Sequence, residues 1–140
     1  MANRDHLYWV QSEPETWLVW RQEHRGSLNL QHAQLSHADL QARDLTGADL
    51  SYAHLAHSQL QQTRLVAATL SGSNLTGAVL AASDLSNATL QNVDLSLCSL
   101  RNATLLGANL SQANLSAANL QNVNAIATLF QSANLRGALL

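Results

Sequence analysis

From position 30 to position 120, every residue whose number is divisible by five is leucine. The register continues through Ala125 and Phe130 to Leu135 and Leu140. A period of five suits neither regular element. On an α-helix, five residues advance the chain by about 500°, so successive leucines scatter around the axis and form no apolar stripe. On one flat strand, an odd spacing places alternate leucines on opposite faces. A chain that turns a corner once per repeat collects all of them in one interior. The expected architecture is therefore an all-β solenoid whose short sides stack through backbone hydrogen bonds.

The other positions of the repeat support this. Two residues before each leucine stands a small side chain, as at Ala48, Ser58, Thr63, Ala78, Ala88 and Cys98. Two apart on an extended segment means the same, inward face. Between the two lies a mostly polar residue, as at Asp39, Asp44, Asp49, Asn74 and Asp84, expected to point to solvent. Two residues after the leucine, glycine or asparagine recurs, and every glycine but Gly26 falls there. Those residues tolerate the positive φ that the third position of a type II turn requires.

The run "ADLTGADLSYAHL" and its neighbours resemble the pentapeptide-repeat proteins, whose consensus is A-(D/N)-L-x-x. The resemblance extends from about Leu28 to Leu140. It implies a right-handed quadrilateral β-helix with four pentapeptides per coil. At that spacing of 20, Asp44, Arg64 and Asp84 fall in one outward column, an alternating-charge ladder suited to cross-coil pairing.

Residues 1–27 lack the repeat and are expected to form a separate N-terminal helical cap on the β-helix of residues 28–140. They hold Trp9, Trp17 and Trp20. "SEPETWLVWRQEHRG" reads as a short helix, with a capping box from Ser12 and Glu15, Pro14 in the first turn and Gly26 at the end. The tryptophans would cover the open end of the solenoid, since repeat arrays need caps. "WLVWR" also resembles the W-N-x-W-R element that precedes the repeats in many cyanobacterial members, with Leu18 in place of asparagine. Arg43 stands at an inward position, where a lone guanidinium is costly to bury. It is expected to reach toward the helix and pair with Glu23 or Glu15.

No convergent catalytic constellation is visible. Asp39, Asp44 and Asp49 sit on successive sides and diverge, and Cys98 occupies a packed inward site. His32, His37, His54 and His57 fall in the first coils, and a stacked His37–His57 pair offers too few ligands for a closed metal site. No cofactor is expected. The net charge is −2, with seven arginines and no lysine, so direct nucleic-acid binding is not expected. No apolar run is long enough to span a membrane. One cysteine permits a reducing compartment, and a cytoplasmic location is expected.

The function expected is a non-enzymatic structural or protein-interaction module with an unknown protein partner. Two surfaces are candidates. At a spacing of 20, Val66, Leu106 and Ile126 share an outward column, with Leu129 beside it. Near the C-terminus, Phe130, Leu135, Leu139 and Leu140 could join two copies through their last coils, with Phe130 filling the space that Ala125 leaves. The resemblance also implies an alternative, since some members mimic DNA and bind DNA gyrase, protecting it from quinolones. The weak charge, the uninterrupted coils and the leucine rather than phenylalanine centres favour the first reading.

Overall fold

The computed structural model describes residues 1–140. Two short helices, α1 (Arg4–Val10) and α2 (Pro14–Glu23), precede the solenoid. From Asn29 onward, every outward residue pairs in parallel with the residue 20 positions later, ending at Asn119 with Leu139. An offset of 20 is four pentapeptides, so the coil has four sides. Each side is too short for a continuous strand. One residue per side makes the β-bridge, and a corner follows.

The five amides of one repeat each find a different partner. In residues 86–90, the Asn87 N–H donates to Leu106 O and Leu90 N–H to Asn109 O in the next coil, at 2.8 and 2.7 Å. Thr89 N–H donates to Ala68 O in the previous coil at 2.9 Å, and Ala88 N–H closes the corner onto Leu85 O at 3.0 Å. Only the Ser86 amide has no backbone partner; Asp84 Oδ1 accepts it at 3.0 Å. The same contact recurs wherever the outward residue is Asp or Asn, as at Asp39, Asn74, Asn109 and Asn134. The outward Asp and Asn therefore do more than face solvent: each satisfies the one amide that the ladder leaves over.

This changes the charge ladder. Asp44, Arg64 and Asp84 are bridged in one column as expected. The two carboxylates turn back onto the Thr46 and Ser86 amides instead of reaching for Arg64.

Leu30 to Leu115 are at most 1% exposed and line the interior with the small residues. Most inward hydroxyls are matched to leucine carbonyls: Thr63 Oγ1 donates to Leu40 O, Ser73 Oγ to Leu70 O and Ser83 Oγ to Leu80 O, at 2.7–2.8 Å, while the buried Ser58 Oγ has no partner. Cys98 packs in the same way, its thiol donating to Leu75 O at 2.8 Å. Burial pushes that thiol up to about 12, so it is not a thiolate nucleophile at neutral pH. The second corner residues of all repeats, from His32 to Gly137, have φ between 54° and 71°. Only five of them are glycine and four asparagine; Ala, His, Gln, Tyr, Ser and Leu take the rest. The position, not the residue, dictates the conformation.

The N-terminal segment departs from expectation. It has two helices rather than one. Asn3 caps α1, accepting from the Asp5 and His6 amides. The expected capping box is absent: Glu13 is the N-cap of α2 without a side-chain bond, and Ser12 Oγ donates to Trp9 O. Pro14 opens α2 as expected, but the helix stops at Glu23, before Gly26. Val10, Trp17 and Trp20 are buried in one apolar cluster with the leucines, and Trp9 packs against it.

Two outcomes test these contacts. Leu75→Ala should lose about 2–5 kcal/mol in urea unfolding, the cost of an aliphatic cavity. Leu140→Ala, at a side chain 86% exposed, should change stability by less than about 0.5 kcal/mol. Asp44 and Asp49 give the pH dependence. Burial acts to raise both carboxyls, but hydrogen bonding from Thr46 and Ser51, helped by Arg64 and Arg21 at Asp44 and by Gln31 at Asp49, holds both below the usual range. A folded pKa below the unfolded one stabilises fully above about pH 4 and is lost as pH falls through the folded value. Asp49→Asn keeps an amide-capping oxygen, so it should reduce the acid-induced fall in urea midpoint without a comparable loss at pH 7.

Candidate functional site

The corner column predicted from spacing exists. The amides of Ala67, Asn87 and Gly107 donate to Ser86, Leu106 and Ile126 carbonyls, tying the column together coil by coil. Its apolar members are not equivalent. Val66 is half-buried and Ser86 separates it from the rest. Leu106 and Ile126 are 40% and 67% exposed, and Leu129, bridged to Asn109 on the adjoining side, is 57% exposed. Leu106 and Ile126 are thus exposed neighbours in one column, Leu129 is exposed on the adjoining side, and Ser86 separates Val66 from them.

Further apolar side chains are exposed in the last coil. In residues 121–140 the inward positions lack a coil above them. Ala125 is exposed, while Val123, Phe130 and Ala133 are half-buried against the core. Phe130 therefore packs on the core edge, but Ala125 is not covered. Leu135, Leu139 and Leu140 are 38%, 56% and 86% exposed. The amides of Ala127, Phe130, Ser132 and Leu135 make no backbone hydrogen bond, in contrast to their counterparts one coil earlier, Gly107, Leu110, Gln112 and Leu115. Within residues 1–140, this last coil is a parallel sheet edge around a partly uncovered apolar centre.

The histidines form a second feature. His37 and His57 stack at 5.2 Å, and His32 stacks on Tyr52 at 5.3 Å, on neighbouring corner columns. Parallel stacked imidazoles present their nitrogens side by side rather than toward one point, and no group of three His, Cys, Asp or Glu side chains has metal-site geometry. Each stack ends under a glycine. A Cβ on Gly72 would stand 2.6 Å from the Tyr52 ring, and one on Gly77 would stand 2.6 Å from His57 Nδ1.

The pentapeptide-repeat family profile matches in overlapping stretches, 29–65, 63–102, 80–116, 94–131 and 108–140. The chain is a pentapeptide-repeat protein. Among solved structures, it is similar to a pentapeptide-repeat protein of the Arabidopsis thaliana thylakoid lumen, with 31% identity and a TM-score of 0.55 over 71% of this chain. It spans 63% of that protein's length. It is also similar to the pentapeptide-repeat protein Rfr23 of the cyanobacterium Cyanothece 51142, at 26% identity and a TM-score of 0.62, covering 86% of this chain and 95% of that one. These likenesses imply the right-handed quadrilateral β-helix. QnrB1, a plasmid-mediated fluoroquinolone resistance protein, matches 80% of this chain and 60% of its own at 21% identity, with a TM-score of 0.47, a likeness that carries no functional weight. Comparison with curated proteins returns no match.

Within the pentapeptide-repeat scaffold, the corner stacks depend on the small residue above them. Gly77→Ala should lose about 1–2 kcal/mol, because alanine is strained at φ 66° and meets His57. In the double variant with His57→Ala, part of that loss should return. A double-mutant cycle from urea unfolding with no coupling would show that the ring and the glycine do not interact.

Proposed function

We propose that this pentapeptide-repeat protein is a non-enzymatic interaction module that recognises a protein partner through its C-terminal coils. The observation that carries the reading is the concentration of exposed large apolar side chains in the last coil, Ile126, Leu129, Leu135, Leu139 and Leu140, with Leu106 one coil earlier. Exposed large apolar side chains gathered in one coil mark an interaction surface. A row of unpaired amides adds directional bonding. A second copy of the chain is the simplest occupant, because two like ends can cover each other's apolar centres about a two-fold axis. On this proposal the helical pair at residues 1–27 covers the other end and leaves the C-terminal coils for docking.

The charge pattern supports this reading over DNA mimicry toward gyrase. A duplex mimic relies on strong negative potential along the rod. Here the net charge is −2, and several of the aspartates are engaged with their own backbone amides.

Sedimentation velocity from micromolar to hundred-micromolar protein should show self-association. Leu135→Asp or Leu139→Asp should weaken it at least tenfold, while Val66→Asp leaves it unchanged. A monomer throughout would sink the second-copy form of the proposal. Capture of a purified partner that survives Ile126→Asp and Leu129→Asp would exclude these side chains from the surface. Gyrase supercoiling, with or without a quinolone, should be indifferent to micromolar protein.

A further inference from the structure

The junction between α2 and the first coils gathers four of the chain's seven arginines. Arg21, Arg25, Arg43 and Arg64 line a cleft of about 550 Å³, and Asp44 is the one carboxylate among its lining residues. That volume lies within the ordinary range of small-molecule sites.

Two of these guanidiniums are buried without a carboxylate in contact. Arg43 is 4% exposed. The expected pairing with Glu23 or Glu15 does not form: Nη2 donates to the Ser12 carbonyl at 2.6 Å, and the guanidinium lies 5.6 Å from the centre of the Trp17 ring. Its Nε and Nη1 are shielded from solvent and have no hydrogen-bond partner. Burial lowers its pKa, and Asp39, Glu13 and Glu15 oppose this only through their charge. Arg21 is 8% exposed and is held by backbone carbonyls alone, those of Asp44, His24 and Gly26, with Thr46 O at the 3.5 Å limit of Nη2. Buried charges are normally paired. Here two line one cleft with neutral hydrogen-bond partners, in a chain whose net charge is negative.

The rim supplies free donors. Arg25 and Arg64 are exposed. Arg25 uses only Nε, on the Gln22 carbonyl, and the Asp44 carboxylate is turned onto the Thr46 amide. Beside these donors stand Pro14 and the 58%-exposed Leu18, an apolar wall.

We propose that this cleft binds a phosphate group carried on a small molecule with an apolar or planar body. Asp39, Glu13 and Glu15 offset Arg43 from outside the lining, which leaves Arg21, Arg25 and Arg64 against Asp44 within the cleft, an excess that a dianion offsets better than a carboxylate monoanion. Guanidinium forks match phosphate oxygens geometrically. Arg25, Arg64 and the weakly engaged Nη2 of Arg21 make the contacts. Arg43 contributes its field from beneath, where low dielectric and absent solvent strengthen it. The body of the ligand lies along Leu18 and Pro14. This inference is independent of the C-terminal interaction surface.

The test is calorimetric titration of the full chain with inorganic phosphate and with phenyl phosphate, at constant ionic strength set with chloride. Both should bind, phenyl phosphate several-fold more tightly. Arg25→Gln and Arg64→Gln, at exposed sites where folding is undisturbed, should each weaken binding about tenfold, the effect of losing one charge-assisted contact. Phosphate should raise the thermal midpoint of the wild-type chain, and Arg43→Met should diminish that rise. Absence of heat at millimolar phenyl phosphate would overturn the proposal. Equal affinity in the Arg25→Gln, Arg64→Gln double variant would overturn it as well.

Discussion

The structure depends on hydrogen-bonding a backbone that changes direction every five residues. A buried amide cannot go unpaired without a cost comparable to a lost hydrogen bond. At mid-stack, two amides of each repeat donate to the coil ahead, one to the coil behind and one across the corner, as in residues 87–90. The fifth has no backbone acceptor. Placing Asp or Asn two residues earlier supplies one, as Asp84 does for Ser86. The polar position of the repeat is thus a consequence of the ladder rather than of exposure alone. Leucine and the small residue are what remain once the ladder has fixed which side chains point inward.

The same ladder overrides local preference. Left-handed φ costs a non-glycine residue roughly 1–2 kcal/mol, yet Ala42, Ala67, Ala82, Leu97 and Ala117 all adopt it. No single repeat could hold that conformation. Stacking makes it tolerable, because the corner amide of each of these residues bonds the next coil, as Ala82 N–H does to Arg101 O at 2.9 Å. Stability in such an array is shared between neighbours, and coils with one neighbour are weaker than coils with two. The exposed inward residues of 121–140 mark where that support is missing.

These constraints explain what could be read from the sequence. Period five, the inward leucines and the small inward residues were legible because a one-residue slip would turn every leucine outward. Four sides per coil were not legible from the period, which fixes corners but not their number. That number came with the family resemblance, and the bridges at 20 residues show it. The outward placement of Asp and Asn was legible but their amide capping was not, although a signal existed in the recurrence of D-L-S and D-L-T, with a corner amide two residues after each carboxylate. Helix α1 was missed despite an N-cap in Asn3 followed by Asp5 in the first turn. The arginine cleft was invisible. Its members are spread from position 21 to position 64, and only the docking of α2 against the first coils assembles them.

The accounting also limits where recognition can reside. Two of every five side chains are committed to the core, and a third, where it is Asp or Asn, is engaged with its own backbone. The two corner residues remain, together with the outward positions that hold something else. Tyr52, Leu97, Leu106 and Ile126 are corner residues and Leu129 and Leu139 are outward ones; all six are large, apolar or aromatic, and exposed. A substitution at these sites changes the surface without disturbing the ladder, so a pentapeptide rod can vary its partner while keeping its fold. The N-terminal segment obeys different rules. Its helices satisfy most of their own backbone, which leaves side chains such as Arg21 and Arg25 free to be positioned by packing, and it is there that charge is concentrated instead of spread along the rod.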